Sequence, residues 1–158
     1  MQLEYLDLSN FRSYASLRQD NFSPSFNILY NANGTDKTNI LEAISLLSPG
    51  RGMRGATLRE IGKMENELNL SWAINAKVKN KLHTEISTGC ILDTEESDKR
   101  ILRIDNKLAK NQGELNRVFN VVWLTPQMDR ILSEGASSRR KFLDRLVASF
   151  DALHTERV

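Results

Sequence analysis

Residues 26–44 read Phe-Asn-Ile-Leu-Tyr-Asn-Ala-Asn-Gly-Thr-Asp-Lys-Thr-Asn-Ile-Leu-Glu-Ala-Ile, and no other stretch narrows the choice of fold as sharply. An apolar run enters a short polar loop, and Lys37-Thr38 then opens an apolar helix. That order belongs to the strand, GxxxxGK[ST], helix unit, whose backbone amides wrap a phosphate group. Asn31 and Asp36 stand at the two glycine positions of the pattern. Inward-pointing amides need unusual φ values and a backbone free of bulk. Asn31 is the milder replacement, because Asn tolerates left-handed φ. Asp36 is the severe one, since it brings a negative charge beside the anion. Two unit charges ~4 Å apart repel by about 4 kcal/mol at an effective dielectric near 20, about three decades of affinity. Lys37 is the candidate phosphate cation, with Asp36 as its alternative partner. Thr38 is the candidate magnesium-ligating hydroxyl, and the helix N-terminus adds partial positive charge.

The rest of the chain bounds the class. With 158 residues, 40% hydrophobic and 27% charged, it has the length of about one domain and the composition of a globular protein. No apolar run reaches membrane-spanning length, and Met1-Gln2-Leu3-Glu4 lacks the basic then apolar order of a leader, so neither a secreted nor a membrane protein is expected. Cys90 has no second cysteine to pair with and lies in an apolar-alternating stretch, which predicts a buried structural thiol. His83 and His154 are too few for a zinc site. A net charge of +2 does not by itself argue for nucleic acid, so local clusters must carry that case.

Periodicity divides the chain into three stretches. Residues 1–66 hold a strand from Leu3 to Ser9, irregular near Leu6, a turn at Asn10–Tyr14, a second strand from Phe26 to Tyr30, the loop, and a helix stopped by Pro49-Gly50. Residues 67–117 alternate at Leu68–Val78, Thr84–Leu92 and Ile101–Ile104, with short polar connections, which predicts an inserted antiparallel meander. Glu95 to Arg100 reads as its solvated hairpin tip. Residues 118–158 open on a near-continuous apolar strand, Val118–Leu124, suited to a sheet covered on both faces. They close on a helix from about Ser138 to Leu153 with Phe142, Leu146, Phe150 and Leu153 on one face. Trp72 and Trp123, within strand patterns, are expected in the core.

Taken together, these landmarks resemble the RecF family of ABC-type ATPases, related to the SMC proteins. The residues that carry the resemblance are Leu8 to Tyr14, Asn33-Gly34-Thr35, Lys37 to Ile44, Gly50 to Arg54, Trp123 to Pro126, and Gly135 with Arg139 to Asp144. The resemblance implies an α/β fold: the N-terminal lobe of a P-loop ABC-type ATPase head, carrying the β-meander and lacking a C-terminal half with the ABC signature and Walker B acids. It implies a bacterial cytoplasmic protein of DNA replication, recombination, repair and the SOS response. ATP with magnesium would be bound by Asn31, Ala32, Asn33, Gly34, Thr35, Asp36, Lys37 and Thr38, with Arg12 as a further phosphate contact. Gln127 lies near the position of a γ-phosphate-sensing glutamine. DNA, single-stranded, gapped or at duplex junctions, would meet Arg51, Arg54, Arg139 and Arg140. Recombination mediators and a second head are the implied protein partners.

Two other readings stay open from the residues alone. Substitution of both glycines would fit a nucleotide-independent remnant that binds DNA or partners through its basic loops, or an inactive product of an eroded gene. Arg139, Arg140 and Lys141 open a helix against its dipole, for which a solvated helix end is the first explanation and a salt bridge or a DNA contact the alternative.

Overall fold

The first strand organises the molecule, because it is flanked by partners on both sides. In the computed structural model, which describes residues 1–30, 32, 36–80, 82–92, 98–126, 128 and 135–151, β1 (Gln2–Phe11) pairs with β2 (Tyr14–Asp20) and with β5 (Trp72–Lys79). β5 continues into β6 (His83–Ile91), β7 (Lys99–Ile104) and β8 (Lys107–Leu108), giving a six-stranded sheet in the order β2-β1-β5-β6-β7-β8, antiparallel throughout. The predicted meander is therefore continuous with the first strand. The irregularity read near Leu6 is a register shift between Leu3 and Tyr5, where Glu4 is the extra residue. Asn10 and Phe11 still belong to β1, and the reversal is confined to Arg12-Ser13, with Arg12 at φ 53. β2 gave little sequence signal, because as an edge strand it buries almost nothing.

One face of the sheet is covered. Leu6, Leu8 and Phe11 of β1, Trp72, Ile74, Ala76 and Val78 of β5, Ile86 and Cys90 of β6 and Leu102 of β7 form the core. They pack against Ala43, Leu46 and Leu47 from α1 (Lys37–Ser45) and the turn after it, together with Ile61 and Leu115. Trp72 is a core residue as expected: it meets Phe11 edge to face at 6.0 Å, and its indole N–H donates to the Leu58 carbonyl at 2.8 Å. Cys90 is a buried free thiol whose pKa is raised by that burial.

Several predicted elements are corrected. Leu68 and Leu70 do not extend β5. β4 (Leu68–Asn69) instead folds back on β3 (Met64–Glu65) through Asn66 and Glu67, both at positive φ, after the one-turn helix α2 (Leu58–Ile61). Phe26–Tyr30 and Val118–Leu124 form no strands: Val118 ends the short helix α3 (Leu115–Val118), Ile28 is 82% exposed and Leu124 76%. A strand exists only through ladder partners, and among the described residues neither run has one. Arg100 is no hairpin-tip residue either, for it sits in β7 with its guanidinium turned inward, while residues 93–97 lie outside the described part. The last helix, α4, spans Ala136–Phe150, with Phe142 and Leu146 half-buried but Phe150 exposed; Leu153 lies outside the described residues.

Candidate functional site

α1 starts where the Lys-Thr pair predicted. Its N-cap is Asp36, at φ 48 and ψ 10, the left-handed conformation that a glycine would adopt most easily. Asp tolerates this region better than most side chains, which explains how it can stand there. Its carboxylate does not cap the helix amides but accepts from Asn39 Nδ2 at 3.0 Å, and its carbonyl accepts from the Tyr14 hydroxyl at 3.3 Å. The Tyr14 pKa is raised, first by burial and then by the Asp36 charge. The Lys37 ammonium donates to the Ala32 carbonyl at 2.7 Å, and the Thr38 side chain is exposed. In type these groups fit a phosphate: a cation, a hydroxyl and a helix N-terminus not capped by its own carboxylate. Asn31, Asn33, Gly34, Thr35 and Gln127 lie outside the described residues.

Behind that turn lies an ion cluster that sequence reading did not identify. Asp36, Asn39 and Glu42 recur at three-residue spacing and so share one face of α1. Glu42 is only 1% exposed. Arg12 grips it with both prongs, Nε to Oε2 at 2.8 Å and Nη2 to Oε1 at 2.5 Å, and Arg54 Nη1 adds a bond to Oε2 at 2.9 Å. Arg54 Nη1 also reaches Asn39 Oδ1 at 3.0 Å, while Asn39 Nδ2 donates to Ser13 Oγ at 3.1 Å. Arg12 is held further by the Glu60 carbonyl, to which Nη1 donates at 2.5 Å. A continuous hydrogen-bonded chain thus links the N-cap of α1 to the β1–β2 turn and to the glycine-rich loop. The available signal was a glutamate inside an apolar helix, which cannot be buried without a cation partner.

The predicted site residues are thereby sorted. Arg12 and Arg54 converge on Glu42, although one was expected at a nucleotide and the other at DNA. Arg51 is exposed beside Gly50 on a separate cavity of ≈ 640 Å³, together with Arg100 and Gln112. Arg100 holds the end of α1: its guanidinium donates to the Leu46 carbonyl, to the Gly50 carbonyl at 2.8 Å and to Thr88 Oγ1 at 2.8 Å. Burial pushes its pKa down to about 10. Arg139 and Arg140 are exposed on the first turn of α4, which has neither an acidic residue nor a side-chain cap there. No described helix is long and apolar enough to cross a membrane.

The arrangement of an antiparallel lobe against one loop-bearing helix has close relatives. RecF from Rickettsia felis, named a DNA replication and repair protein, is 42% identical over 158 residues, covering 99% of this chain and 41% of the relative. RecF from Caulobacter vibrioides is 38% identical over 151 residues, 94% of this chain and 38% of the relative. The chain matches the N-terminal part of the RecF proteins. Two solved structures of the recombination mediator protein RecF of the RecFOR pathway, one with ATP and one named RecF-ATPrS, superpose with TM-scores of 0.80. Both are 28% identical, and each is covered for 38–39% of its length by 94–95% of this chain. The fold is accordingly that of the N-terminal lobe of RecF. The chain spans about two fifths of the length of the curated relatives it matches. No family model matches it.

Proposed function

We propose that this chain serves a RecF-type protein of DNA replication and recombinational repair in the bacterial cytoplasm, as the part that takes up ATP and faces DNA. The observation that carries the reading is the N-terminal turn of α1. Asp36 takes up a glycine-like backbone and turns its carboxylate onto Asn39, while Lys37 and Thr38 keep their places in the phosphate-binding pattern. Bound ATP with magnesium would supply the transferable phosphoryl group. This chain's Lys37 would neutralise it, and Thr38 would offer its hydroxyl to the metal. Because Asp36 is exposed, its repulsion of a phosphate falls toward the value in water, about 1 kcal/mol at 4 Å, or roughly five-fold in affinity. Arg51, Arg54, Arg139 and Arg140 are the proposed contacts to single-stranded or gapped DNA, with recombination mediators and a second head as proposed protein partners.

The test is titration of the 158-residue chain with magnesium-ATP beside Lys37→Ala and Asp36→Gly. Binding by the unmodified chain, its loss in Lys37→Ala, and a gain of roughly five-fold in Asp36→Gly are expected. No binding at millimolar ATP, or equal binding by the Lys37 variant, would refute the assignment.

A further inference from the structure

The six-stranded sheet has a second face, turned away from α1, and its charges do not balance. Residues directly opposite each other on neighbouring strands point to the same side, so the pairings fix the layout of this face. One row across it runs Asp7, Asn75, Ser87 and Arg103, the next Ser9, Ala73, Gly89 and Ile101, and Ile91 stands opposite Lys99 at the end. All of them are half-buried or exposed, whereas the row between, Leu8, Ile74, Thr88 and Leu102, is buried in the core on the other side. At one end of this face the charges are matched: Arg18 lies over the Tyr5 ring at 4.7 Å and pairs with Asp20 at 3.1 Å and Asp7 at 3.7 Å, and Glu85 stands opposite Lys77. At the other end they are not. Arg103 stands opposite Ser87 and Leu108, Lys99 stands opposite Ile91, and neither side chain has an ion pair or hydrogen bond among the described residues.

The same end carries the apolar surface. Ile91 is 67% exposed and Leu108 72%, while Ile101 separates the two cations along β7. A shallow trough of ≈ 510 Å³ opens here, lined by Ala73, Ser87 and Gly89 together with Ile91, Ile101 and Arg103. An aliphatic surface between two uncompensated cations suits a segment that presents apolar side chains beside carboxylates. The apolar contact excludes water from the centre of such an interface, and the charges set approach and register. Nucleic acid fits this surface less well, because bases stack on aromatic rings and the exposed apolar groups here are aliphatic.

We propose that this end of the outer sheet face docks a partner protein through a short acidic, apolar segment, with Arg103 and Lys99 receiving its carboxylates and Ile91, Ile101 and Leu108 its apolar side chains. The surface lies on the side of the sheet away from α1, so it is separate from Lys37 and Thr38 and independent of the nucleotide and DNA readings.

Fluorescence anisotropy with the 158-residue chain tests it. The probe is a labelled peptide of about eight residues that alternates Glu and Leu, long enough in extended form to cross the sheet, and the control is a Lys-Leu peptide of the same pattern. The chain is expected to bind the Glu-Leu peptide about ten-fold more tightly than the control, with an affinity that falls as salt rises. Arg103→Glu should weaken that binding about ten-fold and flatten its salt dependence, and Arg103→Glu with Lys99→Glu should reverse the preference toward the Lys-Leu peptide. Ile91→Ser should weaken binding by a similar factor, about ten-fold, with the salt dependence retained, because it removes apolar contact and no charge. These side chains are exposed, so the melting temperature should stay within about 2 °C of the original, which separates loss of docking from loss of fold. Equal binding of the two peptides, no binding at about 1 mM peptide, or unchanged affinity in the Arg103 and Ile91 variants would overturn the proposal. Displacement of the Glu-Leu peptide by oligo(dT), with oligonucleotide binding lost in Arg103→Glu, would reassign the face to nucleic acid and overturn it as well.

Discussion

Replacing Glu42 by Gln tests the ion cluster most directly. The substitution keeps the shape of the side chain and removes its charge, leaving Arg12, whose side chain is 19% exposed, without a counter-ion. Breaking one partner out of a buried ion pair costs about 3–5 kcal/mol, because the desolvation of the remaining charge is no longer offset. Most of that cost falls on Arg12. Arg54 is 39% exposed and regains water, so its share is discounted. In a chain of this length, each kcal/mol moves the melting temperature by about 2–4 °C, so a fall of roughly 10 °C is expected. Urea unfolding followed by tryptophan fluorescence measures the same loss at constant temperature, since Trp72 sits in the core. The double variant Arg12→Met with Glu42→Leu should recover much of the loss, because an apolar pair of similar volume avoids the desolvation cost. A Glu42→Gln protein within about 1 kcal/mol of the original, or a double variant as unstable as the single one, would refute the view that Glu42 is a buried charge held by Arg12.

Two further outcomes follow from the geometry. Arg100→Met should lower stability by about 2–4 kcal/mol in urea unfolding, since the Leu46 and Gly50 carbonyls at the end of α1 lose their donor; retention of full stability would show that water replaces the guanidinium there. The Glu60 carboxyl, held below 4.5 first by the Thr57 backbone N–H and then by its hydroxyl, should titrate below that value in a carboxyl-resolved NMR titration. A folded-state pKa depressed in this way adds stability above the unfolded value and loses it as pH falls through the folded one, so Thr57→Ala should raise the Glu60 pKa and flatten the acid limb of the stability curve.

What the sequence determined by itself is whatever local pattern dictates. Alternation at Trp72, Ile74, Ala76 and Val78 placed one face of a strand in the core, because a period of two admits no other side. Lys37-Thr38 marked the start of α1, the crowding of Leu3, Tyr5, Leu6 and Leu8 betrayed the bulge, and motif residues pointed to the RecF family before any fold was known. Tertiary structure decided everything that depends on a partner distant in the chain. Phe26–Tyr30 and Val118–Leu124 have strand composition but no ladder, and hydrogen bonds to a neighbouring strand, not composition, make a strand. Arg12, Glu42 and Arg54 are separated by 30 and 12 residues, and nothing local in any of them announces the other two. A buried carboxylate demands cations from wherever the chain can bring them, and only the folded sheet and helix fix which arginines arrive. The pattern of a phosphate-binding loop was thus written in the sequence, while the pairing of Arg12 and Arg54 on one buried carboxylate exists only because the fold brings their loops onto Glu42.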